Sequence, residues 1–424
     1  MSLLTPKIID LNTSVALTGE KILIFLTKDE FSLTKEKVLN KIKDSFKEHI
    51  NSDLQFKVDV NTLSLTVIPT TDCNLRCIYC YSDGGFDKVY LDLNFAKEFI
   101  DKMLLENKDC NKINLNFAGG GEPLLNFNLI NDLVHYLKAK GIILNLSMVT
   151  NGILVPEYLS WLKANNVFLR VSYDGSAQET NRPGIDFNSK QKLEETFKLL
   201  KANYSPELLG VQMTITKSNV ATLADDVRII INNYGINTIK IESVHTSCSK
   251  RAKIVQQPTP NEFVNAYLQV LDSLVKDDVV AYIDSSYLSI PSTAYFCSLR
   301  NKAVISPYNV ISSCVEVIKK GIKDEIILSD NLSNLNFKDI KEKQLNYLYI
   351  YHPKNYEECS NCNLSHICKS NCPMRKILNN NIKYDFNCVV SKLLIPKFLE
   401  RASNNEKYLQ LVFGDSFNEE HICD

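Results

Sequence analysis

Residues 63–80 read Leu-Ser-Leu-Thr-Val-Ile-Pro-Thr-Thr-Asp-Cys73-Asn-Leu-Arg-Cys77-Ile-Tyr-Cys80, and this stretch joins a predicted strand to three cysteines. The apolar and β-branched run at its start predicts a buried strand. Three thiolates on a short loop can hold three irons of a 4Fe–4S cluster and leave the fourth iron open. A structural zinc usually takes four protein ligands, and no fourth Cys or His lies nearby. A role as buried structural thiols does not account for this spacing, so the segment is predicted to hold a cluster.

Short β-branched runs alternate with longer helical patterns from about residue 62 onward. This alternation predicts a parallel sheet with right-handed crossovers, and six units are too few for a closed eight-stranded barrel. The predicted fold class is therefore α/β, an open (β/α)6 partial barrel of the TIM type with its distinctive segments at the carboxyl ends of the strands. The predicted strands are Leu63–Pro69, Ile113–Ala118, Leu144–Thr150, Val167–Tyr173, Val211–Thr216 and Thr238–Val244, and the predicted helices span 92–107, 127–140, 156–165, 189–203 and 221–234.

The composition excludes several classes of protein. The 424 residues are 45% apolar and 23% charged, and 48 basic against 49 acidic residues leave a formal charge of −1. This neutral balance predicts neither a nucleic-acid partner nor an anionic membrane surface. No run of about 18 apolar residues predicts a membrane span, and the first residues do not read as a secretion signal. A cytoplasmic location is expected, where 13 cysteines favour metal or cluster binding over disulfides.

The first cysteine set resembles the signature of the radical S-adenosylmethionine (radical SAM) superfamily. That signature is CxxxCxxC with an aromatic residue before the last cysteine, here Cys73, Cys77, Tyr79 and Cys80. One strand further along, Gly119-Gly120-Gly121-Glu122-Pro123 resembles the family's GGEP stretch. The resemblance implies that the open iron chelates the amino and carboxylate groups of the methionyl moiety, beside a bare glycine backbone that receives the amino group.

The same resemblance implies further contacts to S-adenosylmethionine. The backbone of Tyr79 would lie against the adenine, and Ser172 and Arg182 match positions that contact the ribose and the carboxylate in related peptide-modifying members. Asn151, in the segment VTNG, is a further candidate. Each of these residues also has an ordinary structural interpretation: Ser172 and Asn151 could cap strand ends, and Arg182 could be a surface arginine.

A second cysteine set lies in the last third of the chain and resembles the SPASM extension of radical SAM enzymes. In that family the extension holds two auxiliary 4Fe–4S clusters. A pair of structural zincs is the alternative, because CxxC beside His366 also suits zinc. Carried over by position, Cys359, Cys362, Cys368 and Cys388 would close one cluster, and Cys297, Cys314 and Cys372 would hold the other.

Two positions depart from the SPASM pattern. Asn309 replaces a usual glycine, and asparagine tolerates the left-handed backbone better than most residues. Ala303 stands where sulfatase-maturing members carry another cysteine. One auxiliary cluster would then keep an open iron that can bind a substrate thiolate, unless Cys248 or Cys423 fills it. Cys110, at the end of a predicted helix, is interpreted as structural.

Four regions are predicted along the chain. Residues 1–60 form a small α+β element, with a hairpin of Ser14–Leu17 and Lys21–Leu26 and a Lys-rich helix over Thr34–Ile50. The helix is either a solvated face or part of a peptide-recognising module. Residues 61–290 form the radical SAM core, 291–390 the SPASM domain, and 391–424 a C-terminal helix and tail that includes the apolar segment Leu393–Leu399.

The function predicted from these motifs is a radical SAM/SPASM peptide maturase, which cleaves S-adenosylmethionine to a 5′-deoxyadenosyl radical and cross-links a ribosomally made precursor peptide. Hydrogen abstraction from an unactivated carbon requires such a cofactor, since side-chain acids and bases cannot perform it. A flavodoxin or ferredoxin is the expected reductant. The alternatives are an anaerobic sulfatase-maturing enzyme that forms formylglycine and, from another class, a non-catalytic iron–sulfur electron carrier. Modification of nucleic acid ranks below all of these.

Overall fold

The computed structural model describes residues 7–19, 22–29, 32, 62–184, 188–244, 255–288, 302–321, 324–350, 355–368 and 386–414. The predicted Lys-rich helix lies outside these residues, as do Cys248, Cys297, Cys372 and Cys423. In the described part of the chain, no helix is both long and apolar enough to cross a bilayer.

The described strands and helices are numbered here in chain order. The strands are β1 (Lys7–Asp10), β2 (Ser14–Gly19), β3 (Ile22–Thr27), β4 (Thr62–Val67), β5 (Lys112–Phe117), β6 (Ile143–Thr150), β7 (Phe168–Ser172), β8 (Leu209–Ile215), β9 (Thr238–Ser243), β10 (Tyr282–Asp284), β11 (Lys302–Ile305), β12 (Ile311–Ser312) and β13 (Ile327–Ser329). The longer helices are α1 (Leu93–Glu106), α2 (Phe127–Ala139), α3 (Val155–Ala164), α4 (Ser189–Asn203), α5 (Leu223–Tyr234), α6 (Pro260–Lys276), α7 (Phe337–Ile350), α8 (Phe386–Asn404) and α9 (Lys407–Phe413).

The strands β4 to β10 form one parallel sheet in which each strand pairs with the next along the chain. The alternating helices make this order possible, because a parallel crossover needs a long connection. The α/β fold with a TIM-like partial barrel is thus confirmed, and each of the six predicted strands is present with its ends within two residues of the prediction. The short strand β10 and helix α6 extend the pattern beyond the predicted units.

Local signals explain where several helices begin and end. The Asp92 carboxylate accepts a hydrogen bond of 2.8 Å from the Phe95 amide and so caps α1. Helix α6 begins with a capping box in which Thr259 and Glu262 satisfy each other's backbone amides. Helix α5 ends at Gly235, whose φ of 68° lies in the left-handed region that glycine adopts without strain.

The two faces of the parallel sheet differ in chemistry. Residues such as Leu65, Leu115 and Leu169 point toward the helices and are fully buried in the main hydrophobic core. The alternate residues form the inner face of the barrel, which is polar: Asn145 donates to Asn114 at 2.8 Å and Ser147 donates to Asn116 at 3.0 Å. Closed TIM barrels fill this space with branched apolar side chains, so the polar lining is typical of a cavity that receives a polar molecule.

The region after residue 301 continues the same sheet. Strand β11 pairs in parallel with β4, with Ala303 opposite Leu65, and β12 and β13 follow antiparallel. The turn between β11 and β12 contains Asn309 with a φ of 55°, so asparagine does adopt the left-handed conformation expected at this position. The sheet pairing thus extends from the parallel strands directly into the C-terminal cysteine region.

The N-terminal residues form a separate three-stranded sheet, β1-β2-β3, which contains the predicted hairpin. This sheet contacts helix α8 through Glu400, whose carboxylate accepts from the Asn12 amide at 2.8 Å and the Thr13 hydroxyl at 2.8 Å. Helix α8 contains the predicted C-terminal helix, and Arg401 joins it to α6 by a two-pronged contact with Asp272 at 2.6 and 2.9 Å. Helix α8 therefore contacts both the N-terminal sheet and helix α6.

Candidate active site

Residues 68–84, here called the cysteine loop, follow β4 directly and are held by hydrogen bonds to backbone carbonyls. The Arg76 guanidinium donates to the carbonyls of Cys73 at 2.5 Å, Leu75 at 2.8 Å and Gly85 at 3.2 Å. The Arg76 amide also donates to the Pro183 carbonyl at 2.8 Å. The Arg76 side chain thus stabilises the conformation of the loop, and its backbone amide joins the loop to the segment after β7.

The glycine turn, Gly119–Gly121, lies against the start of the cysteine loop. Gly121 donates to the Thr70 carbonyl at 2.8 Å, and the amide of Glu122 donates to the Asp72 carbonyl at 2.8 Å. Gly119 and Gly120 have φ values of 94° and 68°, and a Cβ at Gly121 would lie 1.8 Å from the Asp72 oxygen. The bare backbone predicted from the sequence is thus required by close packing between the turn and the loop.

Glu122 connects the end of β5 to the end of β6. Its buried carboxylate accepts hydrogen bonds from the Thr150 hydroxyl at 2.7 Å, the Asn151 amide at 2.8 Å and the Leu124 amide at 3.4 Å. Burial raises the pKa of Glu122 to about 7, although the three donors favour the charged form. Glu122 therefore has a structural task in holding the glycine turn beside the VTNG segment.

The raised pKa of Glu122 predicts that stability falls as the pH rises. The unfolded carboxyl ionises near pH 4.5 and the folded one near 7, so protonation favours the folded state in this window. We expect Glu122 to reduce the free energy of unfolding by about 3 kcal/mol between pH 4.5 and 7. Urea unfolding at several pH values would measure this slope, and Glu122→Gln should flatten it. An equal slope in both proteins would contradict the assignment.

Hydrogen-bond donors surround the three sulfurs. The Gly84 amide lies 3.3 Å from Cys80 Sγ, the Asn151 side-chain nitrogen 4.0 Å from Cys73 Sγ, and an Arg182 nitrogen 3.9 Å from Cys77 Sγ. Donors of this kind stabilise negative charge on cysteine sulfur and help to set cluster potentials. The structure thus brings Asn151 and Arg182 to the cysteine loop from two different parts of the chain.

Arg182 belongs to a buried network. It exposes only 7% of its surface, so its interpretation as a surface arginine is wrong. Its Nε lies 3.2 Å from the Asp174 carboxylate, its guanidinium stands 5.1 Å from the centre of the Tyr79 ring, and the Tyr79 hydroxyl donates to Asp174. Sequence patterns did not single out Asp174, although it is the Asp of the SYDG segment that contains Ser172. Ser172 itself ends β7 on the inner face and is buried.

The three cysteines of the loop fit an iron–sulfur cluster bound through thiolates. The pKa of Cys73 is raised to about 12 and that of Cys77 to about 11, mainly because burial removes water from the thiolate form. Neighbouring thiols raise both values further, while Arg182 lowers that of Cys77. These thiols favour the neutral form without metal, and binding iron as thiolates would release their protons.

The second cysteine set is only partly within the described residues. Cys314 follows β12, Cys388 lies in the first turn of α8, and Cys362 and Cys368 pack against the main core. Burial raises the pKa of Tyr81 above its ordinary range, with further contributions from Cys80, Glu316 and Cys314, so Tyr81 lies within electrostatic reach of both cysteine sets. Among the described residues, no three His, Cys, Asp or Glu side chains gather around a single-ion site. Cys110 is buried in the core, in line with its structural interpretation.

The fold and the loop together define a class of protein: a parallel α/β partial barrel whose first barrel strand ends in a three-cysteine loop against a glycine turn. Residues 67–229 match the family model of the Radical SAM superfamily. These residues therefore form a radical SAM domain, and the members of this superfamily are enzymes that use S-adenosylmethionine and a 4Fe–4S cluster. The interpretation as a non-catalytic electron carrier is therefore not retained.

Two relatives extend the comparison by sequence. The uncharacterised protein MJ0907 of Methanocaldococcus jannaschii is 32% identical over 201 residues, which is 46% of this chain and 66% of that protein. A cysteine-type anaerobic sulfatase-maturating enzyme of Clostridium novyi is 21% identical over 346 residues, 75% of this chain and 89% of the enzyme. The second match reaches beyond the radical SAM core into the C-terminal region.

Two solved structures share the fold. The enzyme anSMEcpe with bound AdoMet and the Kp18Cys peptide superposes with a TM-score of 0.64 at 18% identity, covering 81% of this chain and 99% of that one. SuiB of Streptococcus suis bound to its precursor peptide SuiA gives a TM-score of 0.55 at 13% identity, covering 92% and 99%. At these identities the likeness establishes the fold over most of the chain.

Proposed function

We propose that this chain is a radical SAM/SPASM maturase that oxidatively cross-links a ribosomally made precursor peptide. Ala303 is the observation that carries this choice. A sulfatase-maturing site expects a cysteine there, whereas Ala303 lies within β11 opposite Leu65, with its methyl group against the main core. With Cys297, Cys314 and Cys372 as its protein ligands, the first auxiliary site would keep an open position for a substrate thiolate.

The residues of the cysteine loop have separable roles in this proposal. Cys73, Cys77 and Cys80 would hold the cluster. The glycine turn would bind and orient S-adenosylmethionine together with Tyr79, Glu122, Asn151, Ser172 and Arg182. When bound, cluster and cosubstrate supply a 5′-deoxyadenosyl radical that removes a hydrogen atom from an unactivated carbon. The buried Asp174 keeps Tyr79 and Arg182 in place beside Cys77, and the inner face of the barrel receives the peptide.

The balance of the reaction explains the second cysteine set. Forming one cross-link removes two hydrogens from the peptide: one ends in 5′-deoxyadenosine and the other leaves as a proton. The remaining electron must pass to an acceptor, and two auxiliary 4Fe–4S clusters in residues 291–390 would provide it. Cys359, Cys362, Cys368 and Cys388 would hold the second cluster. The initial electron would come from a flavodoxin or ferredoxin.

The N-terminal element is proposed to contribute to binding of the precursor's leader. Its three-stranded sheet lies against α8 and is joined to it through Glu400. An exposed edge of a small sheet can accept an extended peptide as a further strand. The four-region organisation, with residues 1–60, 61–290, 291–390 and 391–424, belongs to the same proposal.

Sulfatase maturation is the second candidate, supported by the match to the Clostridium novyi enzyme over 89% of its length. The peptide in the anSMEcpe structure and the precursor in the SuiB structure make a peptide substrate common to both candidates. They differ in product, since one forms a new bond within a peptide and the other converts a Cys or Ser to formylglycine. The mass of the product separates them.

The decisive experiment is intact-mass analysis of two candidate substrates, each co-expressed anaerobically with this protein. One is a short Cys-containing peptide encoded beside its gene, and the other is a cysteine-type sulfatase. Loss of two hydrogens from the peptide is expected, because each cross-link requires it. Conversion of the sulfatase thiol group to an aldehyde would establish the second candidate. The Cys77→Ala variant is the matched control and should leave both masses unchanged.

A further inference from the structure

The inner face of the barrel carries charged side chains of two kinds. Lys240 lies 3.6 Å from Glu242 on its own strand and 3.4 Å from Asp284 on β10. Glu242 also accepts from the Ser286 amide at 2.8 Å and the Ser286 hydroxyl at 2.6 Å. Lys240 therefore pairs with both carboxylates, and this acidic part of the wall keeps one net negative charge.

Arg170, also on this face, has no such partner among the described residues. It stands in the middle of β7 between Leu169 and Val171, both fully buried on the opposite face, so its side chain points into the barrel. Within the described residues it forms no hydrogen bond or ion pair, and its buried Nε has no acceptor. The ring of Phe168 lies 5.8 Å from the guanidinium and offers only its π face.

A buried arginine Nε without an acceptor is unfavourable, and a ligand that accepts its hydrogen bond would remove this cost. A partly buried guanidinium loses hydration, and a missing acceptor costs more than a hydrogen bond normally contributes. Its planar set of donors matches a carboxylate in two-pronged geometry. On the other side of β7, the neighbouring strand β6 offers the uncharged groups of Asn145 and Ser147 to this face.

We propose that Arg170 binds a carboxylate of the substrate inside the barrel and so positions the residue that loses hydrogen. Arg170 lies two residues before Ser172 on the same face, about 7 Å deeper along the strand. A carboxylate held there would lie below the site where S-adenosylmethionine is proposed to bind. The inference rests on the proposed function in one respect, namely that the substrate enters the barrel.

Three groups could supply this carboxylate: an acidic side chain of the peptide, the peptide's C-terminus, or the carboxylate of S-adenosylmethionine. We infer that it belongs to an acidic side chain, because a modified residue inside a precursor is far from a chain terminus. Suitable probes are N-acetylglutamate α-amide for the side chain and N-acetylglycine for the terminus. N-acetylglutamine α-amide has nearly the shape of the first probe without its charge.

The test is calorimetric titration of each probe into the anaerobically reconstituted enzyme with S-adenosylmethionine bound. N-acetylglutamate α-amide should bind wild type more tightly than either other probe. Arg170→Met should weaken this binding by at least about tenfold, as expected for loss of a charged hydrogen bond. Arg170→Lys should restore part of it. Arg228→Met is the matched control, since Arg228 is an exposed arginine on α5 that pairs with Asp277 at 3.1 Å.

Four results would overturn the inference. Equal binding of the glutamate and glutamine probes would show that the charge of the probe does not contribute to binding. Unchanged binding by Arg170→Met would show that Arg170 only balances the acidic wall. Tighter binding of N-acetylglycine would assign the site to a chain terminus. A raised KM for S-adenosylmethionine in Arg170→Met would assign it to the cosubstrate. Probe binding is measured without turnover, so failure of the maturase proposal would appear separately, as unchanged peptide mass.

Discussion

Replacing Cys73, Cys77 and Cys80 together with alanine is expected to abolish formation of 5′-deoxyadenosine. Without these thiolates the loop offers no ligand for iron, and reductive cleavage of S-adenosylmethionine has no electron source. Chromatography of anaerobic reactions with dithionite would measure the product. Cys110→Ala is the matched control, because Cys110 is buried in the core away from the loop and its Sγ contacts the Lys112 carbonyl at 3.4 Å.

The auxiliary cysteines should separate cleavage from product formation. Replacing Cys297, Cys314 and Cys372 with alanine is expected to preserve part of the 5′-deoxyadenosine yield while the peptide keeps its unmodified mass. The reason is that hydrogen abstraction precedes the electron transfer that the auxiliary site supports. Full cross-linking by this variant would refute the open-site proposal, and wild-type cleavage by the first triple variant would refute the assignment of the cysteine loop.

The second large effect is expected from Gly121→Ala. The new Cβ would lie 1.8 Å from the Asp72 oxygen and 2.6 Å from its carbonyl carbon, so backbone rather than a flexible side chain must move. That movement breaks the hydrogen bonds that join the turn to Thr70 and Asp72, each 2.8 Å long. We expect cleavage of S-adenosylmethionine to fall by about a hundredfold or more, since small misplacements of reacting groups have effects of this size.

Gly141→Ala provides the matched control for this substitution. Gly141 has a positive φ of 77°, which Gly121 does not, and no atom lies within 4 Å of the position that a Cβ would occupy there. The control therefore carries the backbone strain of about 1 kcal/mol without the steric clash. Near-wild-type cleavage is expected from it. If both variants cleaved S-adenosylmethionine equally well, close packing at the glycine turn would not be the constraint that we infer.

The sequence predicted the parallel sheet and the cysteine loop because both depend on local patterns. Alternation of apolar residues marks a strand such as β5, and the spacing of three cysteines marks a loop regardless of what surrounds it. The left-handed backbone at Asn309 was likewise predictable from one residue type in one turn. The glycine turn could be recognised by its residues, although the group it approaches, Asp72, could not.

Contacts between distant parts of the chain could not be predicted. Nothing local distinguishes Arg182 from a surface arginine, and its burial follows from the carboxylate of Asp174 at 3.2 Å and the ring of Tyr79. The pairing of β11 with β4 was also missed, because a short strand after a long crossover carries little pattern of its own. These contacts depend on which elements become neighbours in the sheet.

By itself, the sequence determined the chemistry available to this protein: three thiols at a strand end, a bare glycine backbone one strand later, and a second cysteine set. Such features are local because covalent spacing sets them. The tertiary structure alone decided which charges meet and which do not. It buried Arg182 against Asp174, paired Lys240 with Glu242, and left Arg170 without a carboxylate among the described residues. Charge pairing depends on distance in space, which only the folded sheet defines.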